Sequence, residues 1–351
     1  MSGLRPLESL SGRWTRPLLA AGAGVAASLA FPSWLTPSFR PWTGWVAWFA
    51  FVPFLAALEG CGVRRAAWLG WLAGLGFFGS ALYWIAAIKE LDGLRLAAWA
   101  AFAGILALYW AAWAAIVCAA GPRRGALLAP ALWAVLEWAR GWGSIGFPWV
   151  ELGASQWAFS PVFQGARAFG VHAVSAAVVA VNVALWAWVR PRRALAGLSA
   201  GSAGVWLAGL ALAAAVTRIP AGRAGTGAPL RVAALQGSFT EEEKWSLPLS
   251  TILGRFEDLA LKAEKSDLMI WPETATAEIW EEQPEIAARA RRLAVRTGAA
   301  QLIGSVQRGK DGRFHNAVVL VTAGGEAGRV MKRHLVPFGE YIPGWFRRFA
   351  P

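Results

Sequence analysis

Between residues 17 and 215 the sequence consists almost entirely of long apolar segments. Seven of them are long enough, or nearly so, to cross about 30 Å of hydrocarbon as helices. With 56% hydrophobic and only 16% charged residues, the chain differs from typical water-soluble proteins. The pattern predicts an α-helical polytopic membrane domain. The predicted spans cover residues 17–33, 43–59, 66–88, 95–119, 125–141, 167–190 and 195–217.

The composition changes after residue 220. Residues 221–229 are rich in Gly and Ala, which is typical of a linker, and the sequence from residue 230 onward has ordinary globular composition. We therefore predict a membrane domain of about seven helices at residues 1–220, a linker at 221–229, and a second domain at 230–351.

The basic residues predict how the segments are oriented. One set of alternate loops contains ten Arg residues, including Arg64, Arg65, Arg123 and Arg124, and the other set contains three basic residues. Because cytoplasmic loops are enriched in Lys and Arg, we expect the chain to begin in the cytoplasm and the second domain to be extracytoplasmic. Orientation and attraction to anionic headgroups explain the net charge of +13 without nucleic acid as a partner.

Residues 141–165 form an unusual loop between two predicted spans. The loop contains too much Gly and Pro for a regular helix and is too apolar for a solvated loop. Irregular backbone at membrane depth persists only against protein or a wet cavity, so we expect a re-entrant or interfacial element. On the predicted topology it lies on the side of the second domain, where it could form one wall of a lipid-facing site. Most of the 23 Trp residues are expected to be interfacial anchors.

The sequence of the second domain predicts an α/β fold. Strands are predicted at residues 230–235, 267–271, 301–306 and 316–322, with helices at 248–265 and 284–297 and a turn at 309–312. Alternating strands and helices favour a mainly parallel sheet that helices cover. Active sites in such sheets lie at the carboxyl ends of the strands.

Glu273 and Lys332 are the candidate catalytic residues. Glu273 follows the strand at 267–271 and the stiff residue Pro272, and a Glu in a partly apolar pocket can act as a general base. Lys332 could stabilise the oxyanion of an acyl-transfer intermediate. Taken singly, Glu273 also fits a surface turn, the basic triplet at residues 332–334 fits a solvated edge, and Glu340 is ambiguous.

The cysteines and histidines indicate no metal site and no other cofactor. Cys61 and Cys118 are not spaced as metal ligands and are expected to fill small apolar spaces. His172 is expected to pack between helices, while His315 opens a strand and His334 falls beside Lys332.

Two motifs in the second domain resemble the carbon–nitrogen hydrolase (nitrilase) superfamily. They are Trp271-Pro272-Glu273 after a buried strand, and Lys332 within the sequence KRHLVPFGE at residues 332–340. The preceding apolar segments narrow the resemblance to the apolipoprotein N-acyltransferase family. Further matches at residues 140–142, 146–149, 236–237 and 244–245 extend it over nearly the whole chain.

The resemblance implies an α-β-β-α sandwich, incomplete here, on a multi-pass protein of the bacterial inner membrane, with the nitrilase-like domain in the periplasm. It implies ping-pong transfer of an acyl group from a phospholipid such as phosphatidylethanolamine, through a Cys thioester, to the amine of a diacylglyceryl-cysteine apolipoprotein. In this family pattern Glu273 is the general base, Lys332 stabilises the oxyanion and Glu340 supports the nucleophile. Trp149 and Trp245 match substrate-contacting aromatics.

One departure from the family pattern concerns the nucleophile. The family places its catalytic Cys downstream of the Lys motif, and the sequence to Pro351 contains no such Cys. We therefore expect the 351-residue chain to be part of a longer enzyme and to be inactive alone. Three alternatives stay open: a membrane-bound amidase, a remnant that binds lipid or lipoprotein without chemistry, and a transporter with a receptor domain.

Overall fold

The computed structural model describes residues 13–33, 35, 41–88, 93–143, 146–158, 163–189, 193–218, 228–309, 312–336 and 340–341. The chain divides into two compact units, residues 1–224 and 225–351. The predicted linker at 221–229 falls at this division, but its residues 221–227 lie outside the described ones. The same holds for motif residues 337–339. It also holds for five of the basic residues used to predict the orientation, which are Arg5, Arg40, Lys89, Arg190 and Arg192.

The first unit is built from helices. Its α-helices are α1 Thr15–Ser28, α2 Val52–Leu58, α3 Val63–Ala81, α4 Arg95–Arg140, α5 Ala166–Phe169, α6 Val171–Val189 and α7 Arg193–Arg218. Short 3₁₀ helices cover Pro41–Trp48, Tyr83–Ala87 and Leu152–Gln156. Helical structure thus occurs in each predicted apolar segment, although the second segment is two short helices rather than one continuous α-helix.

Helix α4 contains the fourth and fifth predicted spans as two arms of a hairpin. The arms meet at Gly121, whose φ of 78° and ψ of 172° break the helix. The indole nitrogen of Trp113 in the first arm donates to the carbonyl oxygen of Ala129 in the second arm, at 2.9 Å. A Cβ on Gly125 would lie 2.4 Å from the carbonyl oxygen of Val117, so only Gly allows the arms to approach this closely.

Aromatic side chains fill the core between the helices. Phe51, Phe77, Trp110, Trp113 and Trp133 are all buried, and the rings of Trp110 and Trp133 meet edge to face with centroids 4.9 Å apart. Among the described residues two helices, Arg95–Arg140 and Val171–Val189, are long and apolar enough to span a bilayer. The count of seven spans therefore stays a prediction.

The second unit contains one five-stranded sheet in the order β1-β2-β3-β4-β5. The strands are β1 Val232–Ala234, β2 Leu268–Ile270, β3 Ala300–Arg308, β4 Phe314–Thr322 and β5 Gly325–Met331. The first three strands are parallel, while β4 is antiparallel to both β3 and β5. The sequence predicts a mainly parallel sheet, and this prediction is wrong for β4 and β5. The connections before and after β4 are too short for a parallel crossover, so the chain folds straight back.

Helices cover one face of the sheet. The short helix α8 Glu241–Ser246 has mostly exposed side chains, and the covering helices are α9 Leu249–Lys262 and α10 Pro284–Thr297. They supply Phe256 and Leu293 to a core with Ile303 and Val319. The opposite face carries apolar side chains that stay partly exposed, among them Val318 at 42% and Val330 at 69%. The two faces alternate along β3 and β4, as the twofold side-chain period of a strand requires.

Candidate active site

The topology brings three separate parts of the chain to one edge of the sheet. Strands β2, β3 and β5 run in the same direction, so Glu273 after β2 and Lys332 after β5 leave the sheet at the same edge. Because β4 runs in the opposite direction, its amino end and Asn316 reach that edge too. The backbone N–H of Lys332 donates to the carbonyl oxygen of Asn316 at 2.7 Å and fixes this register.

The turn that carries Glu273 is anchored on its inner side. The ring of Trp271 is 4% exposed, stacks on Phe256 with centroids 4.6 Å apart, and donates from its indole nitrogen to the side-chain oxygen of Gln301 at 3.0 Å. The backbone N–H of Ala275 donates to the carbonyl oxygen of Gly304 at 2.9 Å. Trp271 before Glu273 and Ala275 after it are thus both fixed to the neighbouring structure, and they fix the backbone of Glu273 between them.

Two unusual backbone features mark this turn. Thr274 has a φ of 47°, which a β-branched residue rarely adopts and which indicates strain held by the surrounding structure. A Cβ on Gly304 would lie 2.1 Å from the carbonyl oxygen of Pro272 and 2.8 Å from the Cα of Glu273. Gly304 therefore lets the turn lie directly on the neighbouring strand.

A single ammonium group joins the two carboxylates of the site. Lys332 Nζ donates to Oε1 of Glu273 at 2.9 Å and to Oε1 of Glu340 at 2.8 Å. Oε2 of Glu340 accepts from the backbone N–H of Val336 at 2.7 Å, so this carboxylate is held at both oxygens. The structure thus brings together the three catalytic candidates, Glu273, Lys332 and Glu340.

Asn316 is a fourth member of the cluster, and it is not among the site residues that the sequence predicts. Its amide nitrogen donates to Oε1 of Glu273 at 3.0 Å and also to Oε1 of Glu340, while its oxygen accepts from the hydroxyl of Thr274 at 3.2 Å. The available signal was an Asn near the start of an otherwise apolar strand. That signal alone does not distinguish a site residue from a turn residue.

Hydrogen bonding sets the charges of the cluster. The bonds to Glu340 and Glu273 raise the pKa of the Lys332 ammonium. Partial burial raises the pKa of the Glu340 carboxyl, but hydrogen bonds from Lys332, Val336 and Asn316 outweigh burial, and the net effect lowers that pKa. At neutral pH, Lys332 and Glu340 are therefore both ionised. The Lys332 ammonium is therefore a hydrogen-bond donor at the site.

A cavity of about 400 Å³ opens beside these groups on the uncovered face of the sheet. Apolar side chains including Ile270, Leu302 and Val330 line it together with Glu273 and Lys332. The side chain of Glu273 is itself 62% exposed, so the partly apolar pocket expected for it is open to solvent. Within the described part of the chain, only Oε1 of the two Glu273 carboxylate oxygens accepts a hydrogen bond.

Trp245 lies on helix α8, next to the site. Thr240 forms a capping box with Glu243 and starts this helix, and Lys244 Nζ reaches the carbonyl oxygen of Glu273 at 3.3 Å. The following residue, Trp245, is 65% exposed. The indole is therefore exposed on the helix that contacts the Glu273 turn.

Trp149 belongs to the first unit, in the irregular loop after α4. Its ring is 52% exposed and packs beside Trp84 and Phe147, with centroids 5.7 Å and 5.8 Å away. The guanidinium of Arg140 donates to the carbonyl oxygen of Trp149 at 2.5 Å, and Glu137 accepts from the backbone N–H of Leu152 at 2.7 Å. These buried charged groups hold the loop in shape.

His172 also contacts this loop. Its Nε2 lies 3.2 Å from Oε1 of Glu151, at the start of α6. The side chain is 28% exposed and this contact is polar, and the helix packing expected from the sequence stays a prediction.

Comparison with known proteins identifies both units. Residues 23–184 match the model of the apolipoprotein N-acyltransferase N-terminal domain, and residues 231–349 match that of the carbon-nitrogen hydrolases. The apolipoprotein N-acyltransferase of Geobacter metallireducens is 33% identical over 349 residues, which are 93% of this chain and 64% of that protein.

Other relatives of the same name give similar values. The protein of Azotobacter vinelandii is 34% identical across 94% of this chain and 65% of its own length, and that of Vibrio vulnificus is 31% identical across 96% and 67%. The chain spans about two thirds of the length of these curated relatives. Both domain matches and these identities agree, and the chain therefore belongs to the apolipoprotein N-acyltransferase family.

Proposed function

We propose that the protein transfers a fatty acyl group from a membrane phospholipid to the amine of the N-terminal diacylglyceryl-cysteine of apolipoproteins. The observation that carries the proposal is the ammonium of Lys332, held 2.9 Å from Glu273 and 2.8 Å from Glu340 at one edge of the sheet. Family membership supplies the reaction class, and this cluster supplies groups of the right chemistry for it.

In the proposed first step Glu273 removes the proton of a thiol, and the thiolate attacks the ester carbonyl of the phospholipid. The oxyanion that forms accepts a hydrogen bond from Lys332. The C–O bond then breaks, Glu273 returns the proton to the leaving alkoxide, and a lysophospholipid departs. In the second step the lipoprotein amine attacks the thioester, gives up its proton to Glu273, and expels the thiolate, which takes that proton from Glu273 and becomes the thiol again.

The thiol in this scheme is the Cys that the family pattern places after Glu340. Cys61 and Cys118 belong to the first unit and are not assigned this role. Glu340 carries a second negative charge beside Lys332, so we assign it the task of orienting the ammonium and keeping it protonated. Asn316 fixes both carboxylates and acts as a positioning residue.

Both substrates are anchored in lipid, so the proposal places the protein in the bacterial inner membrane as a multi-pass protein with the nitrilase-like domain in the periplasm. Trp245 and Trp149 would contact acyl chains. Phosphatidylethanolamine is the proposed donor.

The test uses the whole reading frame that contains these residues, read in genomic DNA beyond the codon for Pro351. The encoded protein is purified into vesicles with phosphatidylethanolamine and a diacylated lipopeptide, and triacylated product is counted by mass spectrometry. Product formation that Glu273→Gln abolishes is expected. Ammonia release from small amides without lipid dependence would instead favour an amidase. Lipopeptide binding without product, together with a frame lacking the Cys, would favour a non-catalytic remnant.

A further inference from the structure

The first unit contains a second cavity, of about 380 Å³, at the Gly121 bend of the α4 hairpin. The bend is where the second arm of α4 begins, and the loop that contains Trp149 follows the other end of this arm. The cavity is lined by residues from α2, from the segment 59–61 between α2 and α3, from both arms of α4, and from α6. They include Leu55, Cys61, Cys118, Ala126, Val183 and Trp186.

The cavity extends from the surface into the helix bundle. At its outer end Gly60 and Pro122 are exposed, whereas at its inner end Ala126 and Val183 are only 4% and 2% exposed. Most of the lining is apolar. A volume of this size lies within the range of sites that enclose small ligands. An elongated apolar ligand would therefore have its head at the bend and its tail among the helices.

Exposed cations flank the outer end. Arg64 and Arg65 lie in the first turn of α3, shortly after Cys61, and Arg123 and Arg124 follow Pro122 at the bend. None of these four forms an ion pair within the described residues. A fifth cation, Arg16, donates from Nη1 to the sulfur of Cys61 at 3.0 Å and to the carbonyl oxygen of Glu59 at 2.9 Å. Glu59 is the acidic residue on the lining.

We infer that this cavity binds an anionic phospholipid, with an acyl chain among the helices and the phosphate near Arg64, Arg65, Arg123 and Arg124. An apolar cavity with a basic rim matches both parts of such a lipid, and basic pockets between membrane helices bind anionic headgroups. A soluble anion would use only the rim, and a zwitterionic lipid would leave the excess positive charge uncompensated. The site is separate from the acyl-transfer groups and does not depend on their activity.

Lipid retention tests the inference directly. The whole protein, purified in detergent, is mixed with equal amounts of dioleoylphosphatidylglycerol and dioleoylphosphatidylcholine, and bound lipid is counted by native mass spectrometry. We expect phosphatidylglycerol to be retained and Arg64→Gln with Arg123→Gln to lower its occupancy at least fivefold. The control, Arg95→Gln with Arg292→Gln, removes the same charge elsewhere and should leave retention unchanged. Equal retention of both lipids, or no effect of the cavity variant, overturns the inference.

The two cysteines provide a second measurement. Both are free and line the cavity, and they are the only cysteines of these 351 residues. We expect N-ethylmaleimide to alkylate Cys118 at least fivefold more slowly in phosphatidylglycerol nanodiscs than in phosphatidylcholine nanodiscs. Ala126→Leu keeps the arginines but fills the cavity and should remove this difference.

If Ala126→Leu keeps the full difference, the protection comes from membrane surface charge and the lipid site is wrong. Protection in phosphatidylcholine by added glycerol 1-phosphate alone would show a site for a soluble anion instead. Because Arg64 and Arg123 are exposed, their variants are expected to fold, so the retention experiment decides the question even if Ala126→Leu does not fold.

Discussion

Asn316 lies near the start of β4, Lys332 directly follows the neighbouring antiparallel strand β5, and a backbone hydrogen bond of 2.7 Å joins the two residues. Their side chains donate to the same two carboxylate oxygens, Oε1 of Glu273 and Oε1 of Glu340. The two donors thus compensate a pair of carboxylates that would otherwise repel each other. The strand register places both donors, so the local charge balance depends on the sheet.

Removing the Lys332 cation should abolish most activity. Lys332→Met leaves Glu273 and Glu340 near each other with only the Asn316 amide between them, and it removes the proposed oxyanion donor. We expect lipopeptide acylation in the vesicle assay to fall by about 100-fold or more.

The matched control for that change is Lys262→Met, which removes an exposed cation at the end of α9. It should keep the wild-type rate. A Lys332→Met protein with more than a tenth of the wild-type rate would contradict the role given to the ammonium.

Gly304→Ala should move Glu273. The new Cβ would overlap the carbonyl oxygen of Pro272, a backbone atom that cannot rotate away. We expect a loss of about 1–3 kcal/mol in stability, measured by denaturant unfolding, and at least a tenfold loss of acylation. Gly328→Ala on β5 meets nothing within 4 Å and serves as the control. Equal behaviour of the two variants would show that the close approach is unimportant.

Asp267 should titrate well below the usual range of an aspartate side chain. Hydrogen bonds from the Arg231 side chain and backbone lower its pKa to about 2. Because the folded-state pKa is depressed, the stabilisation is complete above about pH 4 and is lost as the pH falls toward about 2. Carboxyl ¹³C shifts should show this titration, and Arg231→Gln should return the midpoint toward about 4. Arg255→Gln should not. An Asp267 midpoint near 4 in the wild type would contradict the bidentate contact.

Arg140→Gln should loosen the Trp149 loop. The substitution removes the donor to the Trp149 carbonyl, a bond of 2.5 Å in a nearly fully buried setting. We expect hydrogen exchange of residues 146–158 to quicken by about tenfold, which corresponds to one lost hydrogen bond. Arg95→Gln, at the exposed start of α4, should leave these rates unchanged. Unaltered exchange in Arg140→Gln would mean that other contacts fix the loop.

Periodicity predicted most helices and strands of the second unit. The strongly amphipathic helix at residues 284–297 was predicted with its observed bounds, whereas β5 and α8 were missed. Strand β5 reads Gly-Glu-Ala-Gly-Arg-Val-Met, and its side chains are almost all exposed, so no apolar alternation marks it. Its pairing with β4, from which a two-residue turn separates it, stabilises a segment whose own sequence does not favour a strand.

The site was predicted in part for a similar reason. Glu273 and Lys332 lie in motifs that the local sequence reveals. The hydrogen bonds from Lys332 to Glu340 and from Asn316 to Glu273 depend on distances between segments that are far apart in the sequence or in different strands, which local sequence does not reveal. In the first unit the sequence indicated apolar helices. The sequence did not reveal that two of these helices meet at Gly121 beside a cavity with a basic rim. That cavity is also lined by α2, by residues 59–61 and by α6, which are distant from Gly121 in the sequence.

The alternation of β4 restricts where the chain can change its length. Asn316 lies on the uncovered face with Val318, while Ala317 and Val319 point to the helices. A one-residue insertion within the paired part of β3 or β4 would exchange these faces and turn the amide of Asn316 into the apolar core. Length variation among related sequences should therefore concentrate between Arg308, which ends β3, and Phe314, which begins β4, because a residue added there leaves the pairing of both strands intact.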